Sequence, residues 1–158
     1  MEPQQRRGLL GVETLHIVDG QQRLTTLQYF LAALGIVLRE EKTAPLSSLV
    51  EGCLWNGNTD TMQEPEIETF KVWPTFRDRR NYQLVMRAVS TDELRDLFPH
   101  NFTQSGGLRK IGIDHPAALE AICYFAEEIR EWAQEEKDQK LTRLTAIPLS
   151  PVPGKQKC

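Results

Sequence analysis

The sequence has little of what disulfide-bonded, metal-binding or membrane proteins require. Its 158 residues include three cysteines and three histidines. The cysteines form no CxxC pair and have no histidine at ligand spacing, which argues against a disulfide framework and a zinc site. No apolar run approaches the roughly 20 residues of a transmembrane helix, and no signal-peptide apolar region follows the polar, basic first residues. We therefore expect a protein of the reducing cytoplasm with no membrane partner.

An excess of positive charge is also missing. Nineteen Lys and Arg stand against 22 Asp and Glu, so the net charge is −3 and the isoelectric point is about 5.7. A domain that grips DNA over a broad surface is usually basic, because phosphate neutralisation supplies most of that affinity. The composition argues against a DNA-binding module by itself, although it leaves room for a local basic site. The 40% of hydrophobic residues is enough for the core of one domain.

The clearest pattern in the chain is a change of period near residue 20. Leu9 to Val18 has the apolar residues of a short strand, and Asp19-Gly20 is typical of a turn. From Gln21 to about Glu40 leucines recur at i, i+3 and i+4 spacing, which predicts a helix with one apolar stripe. The predicted stripe consists of Leu24, Leu27, Leu31, Leu34 and Leu38.

Loop-forming residues dominate the next part of the sequence. Residues 43–65 are rich in Pro, Gly, Asn and Thr and are predicted to be mostly loop, with a short strand or helical turn over residues 46–54. Phe70 to Trp73 is predicted as a second strand, which Pro74 stops.

Three helices are predicted in the remainder of the chain. Thr75 caps the first of them, Ser90 and Glu93 form a capping box for the second, and Asp114-His115-Pro116 opens the third. The predicted apolar faces are Tyr82, Val85, Met86 and Val89 in the first helix, and Leu119, Ile122, Ala126, Ile129 and Trp132 or Ala133 in the last. Cys123 is predicted as a small core residue of the last helix. The expected fold class is α+β and α-rich.

Two features near residue 75 allow a functional and a structural interpretation. The charged residues Arg77, Asp78, Arg79 and Arg80 could face nucleic acid or a second nucleotide phosphate, but solvated charges with one or two ion pairs are the commoner arrangement at a helix start. Trp73 could stack on a base, although half-buried packing is the more frequent role of such a residue. We favour the structural interpretation for both.

The turn at Asp19 to Thr26 is the candidate site for chemistry. A helix that starts directly after a turn presents unpaired N–H groups, and Gly20 would let a phosphate approach the backbone closely. Arg23 in the first helical turn opposes the helix dipole unless an anion lies before it, and its guanidinium matches phosphate oxygens. The alternative is a common Asp-Gly turn with a cap, in which Arg23 pairs with a surface carboxylate.

Several side chains near this turn suit phosphate hydrolysis. Asp19 can hold Mg²⁺ or orient water, and Gln21 and Gln22 can contact phosphate or position a nucleophilic water. Thr25 or Thr26 can add a hydroxyl contact. These roles predict catalysis by positioning and charge stabilisation, without a covalent intermediate.

The run HIVDGQQRLTTLQYFLAAL resembles the signature of the N-terminal domain of GmrSD-type restriction endonucleases. A second run, FKVWPTFRDR, is similar to a later motif of the same family, and residues 121–132 look like its following helix. The resemblance implies a ParB/sulfiredoxin-like core, built as a strand, the DGQQR turn and a helix, followed by a helical region. It also implies nucleoside triphosphate binding and hydrolysis at Asp19, Gly20, Gln21, Gln22 and Arg23, with cleavage of modified foreign DNA by a separate nuclease domain.

Some family motifs have no counterpart in this chain. No Tyr-Gln-Arg segment precedes Asp19, and no nuclease motif follows the last helix. We therefore expect residues 1–145 to be a partial domain with a helical extension, and the proline-rich residues 146–158 to be a disordered tail. Two alternatives stay open. One is a non-catalytic module that binds DNA or a partner subunit, and the other is an inactive truncated remnant.

Overall fold

A computed structural model describes residues 20–74 and 79–145 of the chain, with the side chains of residue 44 and of residues 138–145 left out. The strand predicted over residues 9–18, the Thr75 cap, Arg77, Asp78 and the tail predicted over residues 146–158 lie outside these residues. The described part is α-rich, as the sequence predicts. It contains six α-helices: α1 Gln21–Glu40, α2 Ala44–Leu54, α3 Pro65–Glu68, α4 Arg79–Arg87, α5 Thr91–Leu97 and α6 Ala117–Thr145.

Helix α1 has the predicted bounds but buries a different face from the one predicted. The leucine stripe lies at the margins of the core, where Leu31, Leu34 and Leu38 are partly buried and Leu27 is 49% exposed. The buried face is centred on Tyr29, Ala32, Ala33, Ile36 and Val37. Helices α2 and α6 both pack closely against α1. Small residues on the inner face let these helices approach, and the larger leucines fill the edges.

The end of α1 has a Schellman geometry that leads directly into α2. Lys42 adopts a left-handed conformation with φ 58°, and its N–H donates to the Arg39 carbonyl at 3.0 Å. The Thr43 N–H donates to the Leu38 carbonyl at 2.9 Å, which satisfies the last turn. The chain therefore reverses over three residues, and α2 packs back on α1.

Residues 43–65 are less loop-like than predicted: of the two alternatives predicted over residues 46–54, the helical one is confirmed, and the helix is longer than a single turn. Helix α2 occupies Ala44–Leu54. Pro45 lies in its first turn, where no intrahelical partner exists for an N–H, so this proline does not disfavour the helix. Between α2 and Phe70 the chain has one 3₁₀ turn at Thr59–Thr61 and the single-turn helix α3.

The second strand predicted at Phe70 to Trp73 is also absent. Phe70 makes one isolated antiparallel bridge, to Trp55, and no further ladder forms among the described residues. Its ring is buried and contacts the rings of Trp55, Trp73 and Tyr82 with centroids 5.0–5.5 Å apart. The aromatic residues that suggested a strand therefore form a packed cluster beneath α4.

Most predicted features of the later helices are confirmed. Tyr82, Val85 and Met86 are buried, but Val89 is 54% exposed because α4 ends at Arg87. The Ser90 hydroxyl accepts the Glu93 N–H at 3.2 Å and caps α5, as the capping-box pattern predicts. In α6, Leu119, Ile122 and Ala126 are buried, whereas Trp132 is 65% exposed.

Helix α6 begins at Ala117, one residue later than the predicted proline start. His115 does not cap it. His115 Nδ1 lies 2.8 Å from the side-chain amide nitrogen of Asn101, and His115 Nε2 lies 2.7 Å from the carbonyl oxygen of Arg109. An amide nitrogen donates and a carbonyl accepts, so these contacts fix the tautomer with the proton on Nε2. No helix in the described residues has the length and hydrophobicity needed to cross a membrane.

Candidate functional site

The start of α1 is shaped by a glycine in the left-handed region. Gly20 has φ 90° and ψ 3°, a conformation that side-chain-bearing residues rarely adopt. Its carbonyl accepts the Leu24 N–H at 3.0 Å, which closes the first helical turn. No side chain among the described residues caps this end. The first N–H groups of α1 therefore have no side-chain partner among the described residues.

Gln21 connects the helix start to the second sequence motif. Its amide nitrogen donates to the main-chain carbonyl of Trp73 at 3.3 Å, across 52 residues of sequence. This contact fixes the side-chain amide, so that its carbonyl oxygen has a defined direction. The two runs that suggested a family resemblance thus meet in space.

Arg79 belongs to the same neighbourhood, although the sequence alone did not place it there. Its guanidinium carbon lies 5.6 Å from the ring centroid of Trp73, and its Nε donates to the Pro74 carbonyl at 3.4 Å. The main-chain carbonyl of Trp73 is the group that Gln21 contacts, so Arg79 lies beside that contact. The predicted half-buried packing role of Trp73 is confirmed, since its ring packs against Phe70 and Tyr82. A long-range contact of this kind leaves no periodic signal in a sequence.

Gln22 and Arg23 project from the first turn and are exposed. The first turn of α1 has no acidic residue. Within the part of the chain that the structure describes, Arg23 has no ion pair, so the surface carboxylate proposed as its alternative partner is not found there. Asp19, the predicted magnesium ligand, lies outside the described residues.

The two predicted threonines point their hydroxyl hydrogens back along the helix. Thr25 Oγ1 donates to the Gln21 carbonyl at 3.0 Å, and Thr26 Oγ1 donates to the Gln22 carbonyl at 2.9 Å. In these rotamers neither hydroxyl has a hydrogen to give to a phosphate. A direct phosphate contact from Thr25 or Thr26 requires a change of rotamer, which costs the bond to the preceding turn.

Gln28 is a polar residue that sequence reasoning missed, because it lies within an apolar helix. It is 6% exposed, and its side-chain carbonyl oxygen has no hydrogen-bond partner in the described structure. Seven residues make almost two helical turns, so Gln28 lies on the same side of α1 as Gln21. An unpaired buried carbonyl costs about 1–3 kcal/mol.

The described residues contain no cluster of three or more His, Cys, Asp or Glu side chains suited to hold a metal ion. Mg²⁺ does not require such a cluster, since it commonly binds through one or two carboxylates together with substrate phosphates and water. The first turn of α1 has no carboxylate, so the predicted magnesium ligand is still Asp19, which lies outside the described residues.

A second polar centre lies at the other end of α1. One Glu40 carboxylate oxygen accepts both the Thr91 N–H at 3.1 Å and the Thr91 hydroxyl at 2.9 Å. The other oxygen lies 2.7 Å from Arg130 Nη2. Partial burial alone would raise the pKa of Glu40, but the bonds from Arg130 and Thr91 outweigh it and lower that pKa. This centre joins α1, α5 and α6.

Two buried groups have raised pKa values without a visible chemical role. Burial, with a smaller contribution from Glu127, raises the pKa of the Cys123 thiol to about 11. Burial and then Tyr29 raise the pKa of Tyr82, whose hydroxyl donates to the Val72 carbonyl at 2.8 Å. Both residues pack in the core, as predicted from the sequence, and both stay protonated near neutral pH.

Comparisons with protein-family models, with curated proteins and with solved structures give no match to this chain.

Proposed function

We propose that this chain binds a nucleoside triphosphate at the start of α1 and contributes to its hydrolysis. Two observations together carry the proposal: no described side chain caps the start of α1 at Gly20, and Arg23 is exposed in a first turn that has no acidic residue. A cation in this position opposes the helix dipole by about 0.3–1 kcal/mol. A phosphate in front of the turn would reverse the sign of that contribution.

The phosphate contacts would come from the backbone and from one side chain. The first N–H groups of α1 point along the axis beyond the helix start, and Gly20 has no Cβ; apart from its chain neighbours, no atom of the described residues lies within 4 Å of where a Cβ would be. The Arg23 guanidinium would then make charge-assisted hydrogen bonds to the phosphate oxygens. Thr25 and Thr26 would join as phosphate ligands after a change of rotamer.

Residues that flank this phosphate site would carry out the hydrolysis. Asp19 would hold Mg²⁺, which supplies charge neutralisation on the phosphates when bound. Gln21 is held by Trp73, so its amide oxygen could accept a hydrogen bond from the attacking water and orient it. Gln22 is exposed next to it and would contact phosphate or the same water. Hydrolysis would proceed by positioning and electrostatic stabilisation.

The wider role follows from the resemblance of residues 16–34 to the GmrSD family. We propose that the chain has the ParB/sulfiredoxin-like core of that family and serves in an anti-phage restriction system of the cytoplasm. Nucleotide hydrolysis would there be coupled to cleavage of modified DNA by a nuclease domain or partner subunit.

The test is nucleotide binding by the full chain with Mg²⁺, measured by calorimetry with a non-hydrolysable triphosphate. Arg23→Ala and Asp19→Ala should each weaken binding about 10- to 100-fold, since a hydrogen bond to a charged group is worth about 1.5–3 kcal/mol. Lys110→Ala, which removes one exposed cation from a loop, is the matched control and should bind as wild type. Equal affinity in wild type and both site variants would refute the assignment.

A further inference from the structure

Helix α1 is apolar on two nearly opposite sides. At 100° per residue, the leucines of the predicted stripe fall within one arc of about 80°, and the centre of that arc lies about 170° from the centre of the buried face. No residue from Leu24 to Leu38 is charged. A helix at a protein surface normally has a polar outer face, whereas a helix that is apolar all round is buried. The leucine side is therefore expected to be covered by another apolar surface.

The leucine side has the spacing of a helix pair. Successive leucines are separated by three, four, three and four residues. The mean of about 3.5 residues is the repeat of a seam between two helices, in which each side chain inserts between those of the facing helix. This spacing favours a helix as the covering element. The five residues, here called the leucine seam, are Leu24, Leu27, Leu31, Leu34 and Leu38.

The leucine seam joins an exposed aromatic surface on α6. Leu27 is 49% exposed, and Phe30, three residues later, is 36% exposed. The ring of Phe30 contacts that of Phe125 in α6 with centroids 5.6 Å apart, and Phe125 contacts Tyr124 at the same distance. Tyr124 is itself 57% exposed. One apolar patch thus extends from α1 to α6.

The size of this patch suits the centre of a small protein interface. A whole large apolar side chain has about 150–250 Å² of surface, so the exposed fractions leave about 300–400 Å² of apolar surface. A standard interface buries about 800 Å² on each partner, with an apolar centre inside a polar rim. Arg23 and Glu128 are exposed polar residues one helical turn from Leu27 and Tyr124, where a rim would lie.

We propose that the leucine seam pairs two copies of this chain, with their α1 helices antiparallel. A seam that repeats along one helix is complementary to itself, as a two-fold interface requires. A parallel pair would bring two Arg23 side chains together. The antiparallel pair separates them by about 25–30 Å and places each toward the acidic Glu40 and Glu41 of the other copy.

The antiparallel pair has a defined register. Alternate seam positions face each other in such a pair, so Leu27 of one copy lies beside Leu38 of the other, and Leu31 lies beside Leu34. The two starts of α1 are then at opposite ends of the pair. The pairing therefore does not rest on the proposed nucleotide site.

The first experiment is sedimentation equilibrium of the full chain without nucleotide. Wild type should change from monomer to dimer between about 1 and 100 μM. Leu27→Gln should raise the dissociation constant at least about tenfold, because each dimer loses two leucine contacts. Leu27 is the most exposed residue of the seam, so its thermal unfolding as a monomer should match wild type. The matched control is Ile111→Gln in the loop before α6, which replaces a 90% exposed residue and should leave the dissociation constant unchanged.

The second experiment tests the register by disulfide crosslinking. A Leu27→Cys chain is mixed with a Leu38→Cys chain, both also carrying Cys53→Ser and Cys158→Ser. The remaining Cys123 is buried with a pKa raised to about 11, so it reacts slowly. On mild oxidation the mixed disulfide should predominate over crosslinks within either variant.

Three results would overturn the inference. The first is a wild-type monomer at concentrations up to about 1 mM. If Leu27→Gln also lowers the unfolding midpoint of that monomer, another part of the same chain covers the seam. The second is a dimer that Leu27→Gln leaves as tight as wild type, and the third is crosslinking of each cysteine variant only with itself, which indicates a parallel pair. Because nucleotide is omitted, none of these results bears on nucleotide binding.

Discussion

The two ends of α1 differ in whether their charged side chains have partners on other helices. At the carboxyl end three consecutive charged side chains have partners on other helices: Arg39 lies 3.1 Å from Glu51, Glu40 lies 2.7 Å from Arg130, and Glu41 lies 2.9 Å from Lys137. At the amino end no described side chain caps the helix. The exposed Arg23 there is in an electrostatically unfavourable position, and no described carboxylate pairs with it.

The difference separates groups that hold the fold together from groups that are available to a ligand. The pairs at the carboxyl end join α1 to α2 and to α6, and Glu40 also binds the first residue of α5, Thr91. At the amino end the unfavourable features accumulate: an open helix start, a cation in the first turn and, two turns on, the unpaired oxygen of Gln28. Local conflicts of this kind are expected where a chain is organised for binding.

Among the substitutions that test this difference, the largest change in the free energy of unfolding is expected at Glu40. Glu40→Ala removes the acceptor of two Thr91 bonds and of Arg130, and should lower the free energy of unfolding by about 1–2 kcal/mol. The value is modest for three contacts because the side chains of Glu40 and Arg130 are 34% and 38% exposed. Urea unfolding measures it, and Glu41→Ala, which loses one exposed pair, should cost at most about 0.5 kcal/mol.

The same carboxylate should make stability depend on acid. The pKa of Glu40 in the folded chain is lowered from its ordinary value of 4.5. Its stabilising contribution is therefore fully present above that value and is lost as the pH falls through the folded pKa. Glu40→Gln should show a smaller loss of stability in this acid range than wild type. An identical acid profile for both would show that the Thr91 and Arg130 contacts do not favour the charged form.

The next effect, opposite in sign, is expected at Gln28. Gln28→Met keeps the length of the side chain and removes the unpaired buried carbonyl, so it should stabilise the fold by about 1 kcal/mol. Thermal unfolding would show this as a higher midpoint. The matched control is Gln83→Met, which replaces a less buried glutamine whose amide has a partner and should give no such gain. Destabilisation by Gln28→Met would mean that its amide is satisfied by water.

The sequence predicts the helices well where a local signal defines them. The bounds of α1 follow from the turn at Gly20 and the leucine period, and the cap of α5 follows from Ser90 and Glu93. The sequence predicts less well which face of a helix is buried, because that depends on three-dimensional packing. The leucine stripe is a valid helical pattern, yet the buried face of α1 is centred on other residues, among which Ala32 and Ala33 leave room for a neighbouring helix to pack closely.

The candidate site is predictable only in its local part. Asp19 to Thr26 could be selected from residue types around a turn, and the described portion does start a helix with a left-handed glycine. The contact of Gln21 with Trp73 joins residues 52 positions apart, and the stacking of Arg79 adds a third segment, so no spacing rule encodes this arrangement. The sequence from Phe70 to Pro74 resembles the end of a strand because the aromatic residues that favour strands also form packed aromatic clusters.

The smallest effect on stability, and the most informative, is expected at Arg23. Arg23→Gln removes a cation that opposes the dipole of α1 and should stabilise the free chain by a few tenths of a kcal/mol. With a bound triphosphate the sign should reverse, since wild type gains the guanidinium contact and the variant does not. Unfolding midpoints with and without nucleotide and Mg²⁺ measure both states. If Arg23→Gln is destabilised in the absence of nucleotide, Arg23 has a structural partner, and the two ends of α1 are not as different as their described contacts indicate.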